Sequence, residues 1–327
     1  MEKTDTRPPF AASGGIIPLE FRKIKTPCYV LDETALIKNA ELMGNIAKRT
    51  GCKMLLAQKA FSNYDCYHLL APYLAGTEAS GLYEARLGAQ EMPGKEVHVF
   101  CAGYREDEFE ELLCFADHIV FNSPSQLLRF GKRAKQAGKS VGLRINPECS
   151  TQEGHEIYDP CAPGSRMGTT RAQWEAAVKM HPDLTGLLDG IHFHTLCEQD
   201  SSDLETTLAA VKVKFGDLIS QVKWLNLGGG HHITRPGYDI ARLEKCIEAA
   251  KEEWKVDIYL EPGEAWALNA GFFLTTVLDV LQNGDIRLAI LDGSAACHMP
   301  DVLEMPYRPP LLGADEPGEN AVTIRLG

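Results

Sequence analysis

Apolar residues fall in short blocks, each followed by a turn and then a longer segment with helical spacing. The blocks at 53–58, 77–80, 97–101, 118–121, 141–146, 190–194, 224–227 and 258–260 read as strands, and the segments at 63–74, 82–90, 125–137, 171–180, 204–220 and 240–253 read as helices. Strands that alternate with helices imply βαβ units and a parallel sheet. Eight such units predict an α/β fold closed as a (β/α)8 TIM barrel rather than an open sheet. A strand at 27–32 and a helix at 33–49 precede the first barrel strand. After the eighth strand the texture changes: 272–281, 287–292 and 321–326 read as strands with no helices between them, the beginning of a C-terminal all-β domain. The expected division is a barrel over 26–264 and a partial β-domain over 265–327, with residues 1–25 a candidate to pack on the latter. So small a β-unit buries little surface, so the chain reads as truncated or as dependent on a partner.

Composition narrows the class without naming a reaction. With 44% hydrophobic and 24% charged residues among 327, the chain is an ordinary globular enzyme by content. No apolar run reaches the roughly 18 residues a membrane helix needs, and the polar, proline-containing start lacks the order of a signal peptide. The ten cysteines are scattered, with no CxxC pair, which fits reduced thiols and a cytoplasmic location. A net charge of −12 argues against nucleic acid as partner. It suits a cationic substrate, although acidity serves solubility equally well.

In a barrel of this kind functional groups gather at the C-terminal strand ends, and the polar oddities of the sequence lie there. Lys59 ends the first barrel strand among apolar and small neighbours. It is expected to be partly desolvated, with a lowered pKa and an amine free for Schiff-base chemistry; a lysine that merely snorkels to the rim is the plain alternative. His192 and His194 stand two apart, so both face the mouth. They could ligate zinc, pack a ring on a flat cofactor, or be hydrogen-bonded core residues. Gly228, Gly229 and Gly230 expose backbone amides that suit a phosphate, or simply make a tight turn. Glu261 closes the eighth strand, where a carboxylate needs a cation, either a protonated pyridine nitrogen or Arg144. Cys297, His298 and Asp301 lack a completing ligand set, so the segment through Arg308 reads as a substrate loop, and no metal is expected.

In their order along the chain, these motifs resemble the fold-type III pyridoxal 5′-phosphate (PLP) decarboxylases, the alanine-racemase-like barrel group that includes ornithine and diaminopimelate decarboxylases. Within it they are most similar to the carboxynorspermidine/carboxyspermidine decarboxylase branch. The motifs are Lys59-Ala60-Phe61-Ser62, His192-Phe193-His194 with Leu196-Cys197-Glu198, Gly228-Gly229-Gly230-His231-His232, Glu261-Pro262-Gly263-Glu264-Ala265, and Cys297-His298-Met299-Pro300-Asp301 through Tyr307-Arg308-Pro309.

The resemblance implies PLP on Lys59, His194 stacked on its ring, Glu261 at the pyridine nitrogen, and the three glycines at its phosphate, with Ser80 and Arg144 lining the mouth. Cys297, Asp301 and Arg308 would serve the substrate. Glu264 stands where ornithine-type relatives carry an arginine; it loses a phosphate contact and adds charge suited to a cationic tail. The implied activity is decarboxylation of carboxynorspermidine or carboxyspermidine to norspermidine or spermidine, a step in polyamine biosynthesis. The implied assembly is a homodimer with a shared active site, and the relatives' proton-returning cysteine and phosphate-side tyrosine fall beyond residue 327. The alternatives are a diaminopimelate- or ornithine-type decarboxylase, an inactive truncated PLP-binding homolog, and, more distantly, a metal-dependent hydrolase built on His192 and His194.

Overall fold

A computed structural model describes residues 21–152, 159–315, 318–319 and 323–327. The elements run β1 (Cys28–Leu31), α1 (Glu33–Thr50), β2 (Lys53–Ala57), α2 (Tyr67–Leu70), β3 (Gly76–Ala79), α3 (Leu82–Glu91), β4 (Glu96–Phe100), α4 (Phe109–Phe115), β5 (His118–Phe121), α5 (Pro124–Gln136), β6 (Ser140–Arg144), α6 (Arg171–Met180), β7 (Gly190–His192), α7 (Ser201–Ile219), β8 (Trp224–Asn226), α8 (Ile240–Trp254), β9 (Asp257–Leu260), α9 (Glu264–Ala267), β10 (Gly271–Leu274), β11 (Val277–Asn283), β12 (Ile286–Leu291), α10 (Ala295–His298), α11 (Asp301–Glu304) and β13 (Ile324–Leu326). They divide into two units: Glu33–Leu268, and the described N-terminal residues through Asp32 together with Asn269–Gly327.

The first unit is the expected barrel. Strands β2 to β9 close in sequence order, every neighbouring pair parallel. Both faces of these strands are covered, so they read as continuous apolar runs instead of alternating ones. Leu55, Val120, Trp224 and Tyr259 form a buried cluster, with Ala75 and Phe100 packed on it. Trp224 fits only because Gly190 faces it: a Cβ there would lie 1.9 Å from the indole. The surrounding helices are capped by their own sequences. Ser123 accepts from the Gln126 amide at the start of α5, and Thr170 with Gln173 forms a capping box on α6.

Two helical expectations change. The predicted helix at 63–74 is broken into 3-10 turns at Tyr64–Cys66 and Ala71–Tyr73 on either side of the short α2, because Pro72 has no N–H with which to continue a helix. Helix α4 was not predicted; its seven residues are too few for a clear period.

In the second unit β1 pairs with β10 in antiparallel register, and β11–β12–β13 form a separate three-stranded sheet. Residues 26–32, assigned from sequence to the barrel segment, therefore lie in this unit, and the barrel unit runs on to Leu268. The single strand expected at 272–281 is two. They part at Thr275–Thr276, where Asp292 Oδ1 accepts from Thr275 Oγ1 at 2.7 Å and from the Thr276 amide at 2.8 Å. Most of residues 1–25 lie outside the described residues, as do 321 and 322 of the predicted last strand.

Candidate active site

The C-terminal strand ends of the barrel enclose a cavity of about 200 Å³. Lys59, Ser80, Arg144, His192, His194 and Glu261 line it, together with Glu78, Phe100, Cys101 and Met167. Five of the residues nominated from sequence for the cofactor thus share one space although they come from separate strands.

Glu261, just past β9, is 5% exposed. It accepts hydrogen bonds from His192 Nε2 at 3.0 Å and from Asn226 Nδ2 at 2.6 Å. Burial alone would raise its carboxyl; His192 and Asn226 outweigh burial and hold it below the ordinary glutamate range. Arg144, the partner considered from sequence, instead donates from Nη2 to the His194 carbonyl at 3.1 Å and lies 4.5 Å over the Phe100 ring. Burial pulls its guanidinium down to about 10, still protonated near neutral pH. Burial also lowers His192. As the neutral ring it donates Nε2–H to Glu261, which accounts for a bare buried Nδ1.

His194 is held well below the usual histidine range by burial, with Arg144 and Lys59 adding to it. Its Nδ1 accepts from the Gly229 amide at 3.2 Å, which fixes the proton on Nε2. The Gly228 amide is likewise occupied, by Asn226 Oδ1 at 2.9 Å. The glycine turn thus does not present three free amides, as the sequence suggested. It provides close approach: a Cβ on Gly228 would lie 2.3 Å from the Phe193 carbonyl, and one on Gly230 would lie 2.0 Å from that of Leu196.

Lys59 sits in the turn after β2 and lines the cavity, but its side chain is exposed, not desolvated. Ser80 is exposed as well. Glu264, at the start of α9, is exposed and lies 3.7 Å from His232 Nε2. Its charge, after burial, raises Glu198 on the loop following β7. Cys297, Asp301 and Arg308 belong to the second unit and are exposed there. Asp301 accepts from the Tyr307 hydroxyl at 2.5 Å, and Arg308 donates to the Asp315 carbonyl at 2.8 Å.

Asn226 and Glu78 are polar site residues that the sequence did not single out. Asn226 anchors both Glu261 and the glycine turn. Glu78, at 5% exposure on β3, is driven well above the ordinary glutamate range by burial and then by Glu261. The signal was available for Glu78, a charged residue inside Gly76-Thr77-Glu78-Ala79, since such a residue in a barrel strand has to face a polar interior.

No family model matches the chain. It is 40% identical over 294 residues, 90% of this chain and 74% of the relative, to the carboxynorspermidine/carboxyspermidine decarboxylase of Campylobacter jejuni. It is also 40% identical over 305 residues, 93% of this chain and 77% of the relative, to the carboxyaminopropylagmatine decarboxylase of a Synechocystis species. A crystal structure of carboxynorspermidine decarboxylase from C. jejuni, complexed with norspermidine, matches with a TM-score of 0.78 and 38% identity, covering 87% of this chain and 72% of that one. A parallel barrel with its polar groups at this mouth, and relatives that all remove carboxyl groups, make the chain a carboxy-lyase of the fold-type III barrel class. Within that class it belongs to the carboxynorspermidine/carboxyspermidine decarboxylase family.

Proposed function

We propose that the chain decarboxylates carboxynorspermidine or carboxyspermidine, yielding norspermidine or spermidine, with PLP held in the cavity at the barrel mouth. The observation that carries the reading is Glu261, a buried carboxylate kept ionised by His192 and Asn226 rather than neutralised by an arginine. A dry negative charge so held is matched to a protonated pyridine nitrogen. The other residues fit the same group. Lys59 brings an amine to the cavity and His194 an imidazole locked by Gly229, and Gly228–Gly230 would meet the phosphate as the resemblance implies.

When bound, PLP supplies an electron sink for the pair released as the C–CO2 bond breaks. Lys59 would hold it covalently through its amine. Glu261, kept negative by its hydrogen bonds, would pair with the ring nitrogen and favour its protonated, electron-withdrawing form. The neutral His194 ring can face an aromatic plane without adding a competing charge. Arg144 offers a buried cation to an anionic oxygen, and Glu198 and Glu264 place negative charge on the loops after β7 and β9, where a cationic tail would be favoured. A homodimer with a shared site, as the resemblance implies, would bring further groups to it, including the substrate-side roles of Cys297, Asp301 and Arg308.

Equal identity to the carboxyaminopropylagmatine decarboxylase favours a second reading with that compound as substrate. Borohydride reduction of PLP-loaded protein, followed by peptide mapping, tests the common core of both. The label is expected on Lys59 and is expected to vanish, together with CO2 release, in Lys59→Ala. A Lys59→Ala protein that kept cofactor absorbance and turnover would overturn the reading.

A further inference from the structure

Asn226 ends β8 with no exposed surface, and an amide so buried needs partners for both its donor and its acceptor. Asn226 Nδ2 donates to Glu261 Oε1 at 2.6 Å, the Glu261 amide donates to the Gly228 carbonyl at 2.8 Å, and the Gly228 amide donates to Asn226 Oδ1 at 2.9 Å. The three bonds close a ring. They also fix which way the side-chain amide faces, because an ionised carboxylate only accepts and a backbone N–H only donates. The strand ladder holds the base of the ring: the Asn226 carbonyl accepts from the Phe193 amide at 3.0 Å, and the Leu227 amide donates to the Tyr259 carbonyl at 2.9 Å. His192 takes the other carboxylate oxygen, Oε2, at 3.0 Å, so each oxygen of Glu261 is oriented by one donor and keeps a lone pair to offer.

Gly229 extends the ring to His194. Its amide donates to His194 Nδ1 at 3.2 Å, and a Cβ on it would lie 2.5 Å from the Glu261 carbonyl and 3.2 Å from His194 Cε1. The turn is thus wedged between the two residues that would meet the cofactor ring, one at its nitrogen and one on its face. We propose that Asn226 is a positioning residue for the cofactor: its single amide ties Glu261 to the glycine turn, so that the contacts to the ring nitrogen, the ring face and the phosphate are made or lost together. The inference rests on the reading of Glu261, His194 and the three glycines as the PLP contacts.

The chemistry of position 226 is therefore narrow. A leucine there could neither give nor take a hydrogen bond. An aspartate would keep an oxygen for the Gly228 amide but turn a second one toward Glu261 Oε1, and two carboxyls at about 2.6 Å share a proton between them. The other titratable groups that act on Glu261 are His192 on β7, His98 on β4, Arg144 on β6, Glu78 on β3 and His231 in the loop after β8. None of them is changed by a substitution at 226, so a new proton step in such a variant belongs to the pair it creates.

The test uses the full chain titrated with PLP and followed by visible absorption across neutral pH, each variant being checked for wild-type circular dichroism. Asn226→Asp is expected to bind PLP at least about tenfold more weakly, the scale of a lost hydrogen bond to a charged group. Its cofactor absorbance is expected to show a proton step that the wild type lacks. Asn226→Ser, too short for both bonds and without added charge, carries the affinity measurement if Asn226→Asp does not fold. The exchange variant Asn226→Asp with Glu261→Gln restores a donor–acceptor pair but moves the charge off position 261. It is expected to regain the wild-type unfolding midpoint and not the wild-type PLP affinity. Variants at 226 that bind PLP as the wild type does would overturn this inference alone. So would an exchange variant that recovers stability and PLP affinity together, the mark of a merely structural residue. A wild-type chain that takes up no PLP would overturn it together with the reading on which it rests.

Discussion

Glu78 and Glu261 share one cavity, yet their carboxyls are held on opposite sides of the ordinary glutamate range. Two hydrogen-bond donors reach Glu261. For Glu78, burial leads and the charge of Glu261 reinforces it, so Glu78 is the partner that keeps its proton. The sign for stability follows. Below the unfolded value of 4.5 both states carry the proton; as pH rises above it, only the native chain keeps it, and stability falls through that window. Glu78→Gln copies the neutral shape. It is expected to unfold at about the wild-type temperature near pH 4 and several degrees higher near pH 8, as read by thermal unfolding; no gain at the higher pH would contradict this account. Glu261 was legible in the sequence because a carboxylate closing a barrel strand demands a partner. Glu78 was equally legible, as a charged residue inside a barrel strand, but its raised carboxyl was not, since that depends on Glu261 reaching the same cavity from another strand. The exposure of Lys59 was out of reach, because the turn that carries it follows from local geometry, not residue type.

At the scale of elements, the turn after β8 joins the two halves of the site. The Gly228 carbonyl accepts from the Glu261 amide at 2.8 Å, and the Gly229 amide fixes His194. Gly228 also has φ of +72°, in the left-handed region. Gly228→Ala meets that strain and the Phe193 carbonyl together, so a loss of about 1–3 kcal/mol is expected, with a fall in cofactor affinity as His194 shifts. Denaturant unfolding measures the first and PLP titration the second; an alanine variant as stable as the wild type would mean that the turn relaxes freely. The triple glycine stood out in the sequence, but the bonding of the Gly228 amide to Asn226 and of the Gly229 amide to His194 did not, because both partners come from the folded strand ends. The eight strands were read within one or two residues at most ends because buried parallel strands leave unbroken apolar runs. The segment around Pro72 and the short α4 were not, since proline interrupts one period and the other is under two turns.

For the molecule as a whole, the second unit carries an apolar surface that its own elements leave uncovered. Leu278 is 64% exposed, and Val277, Val280, Leu281, Ile286, Ile324 and Leu326 are exposed beside it on β11, β12 and β13. Large apolar side chains exposed on all three strands of one small sheet suit an interaction face. The chain is expected to self-associate, and Leu278→Asp is expected to shift it toward the monomer in light scattering after gel filtration; a wild-type chain that is monomeric at all concentrations would count against the face. Among the described residues no helix is long and apolar enough to cross a membrane, and all ten cysteines are free thiols. The substrate is the point on which the proposed function turns. PLP-loaded protein should be mixed in parallel with carboxynorspermidine, carboxyspermidine, carboxyaminopropylagmatine and diaminopimelate, and the amine products quantified by mass spectrometry. The account predicts CO2 loss from the carboxylated polyamines and little or none from diaminopimelate; turnover of diaminopimelate alone would contradict it.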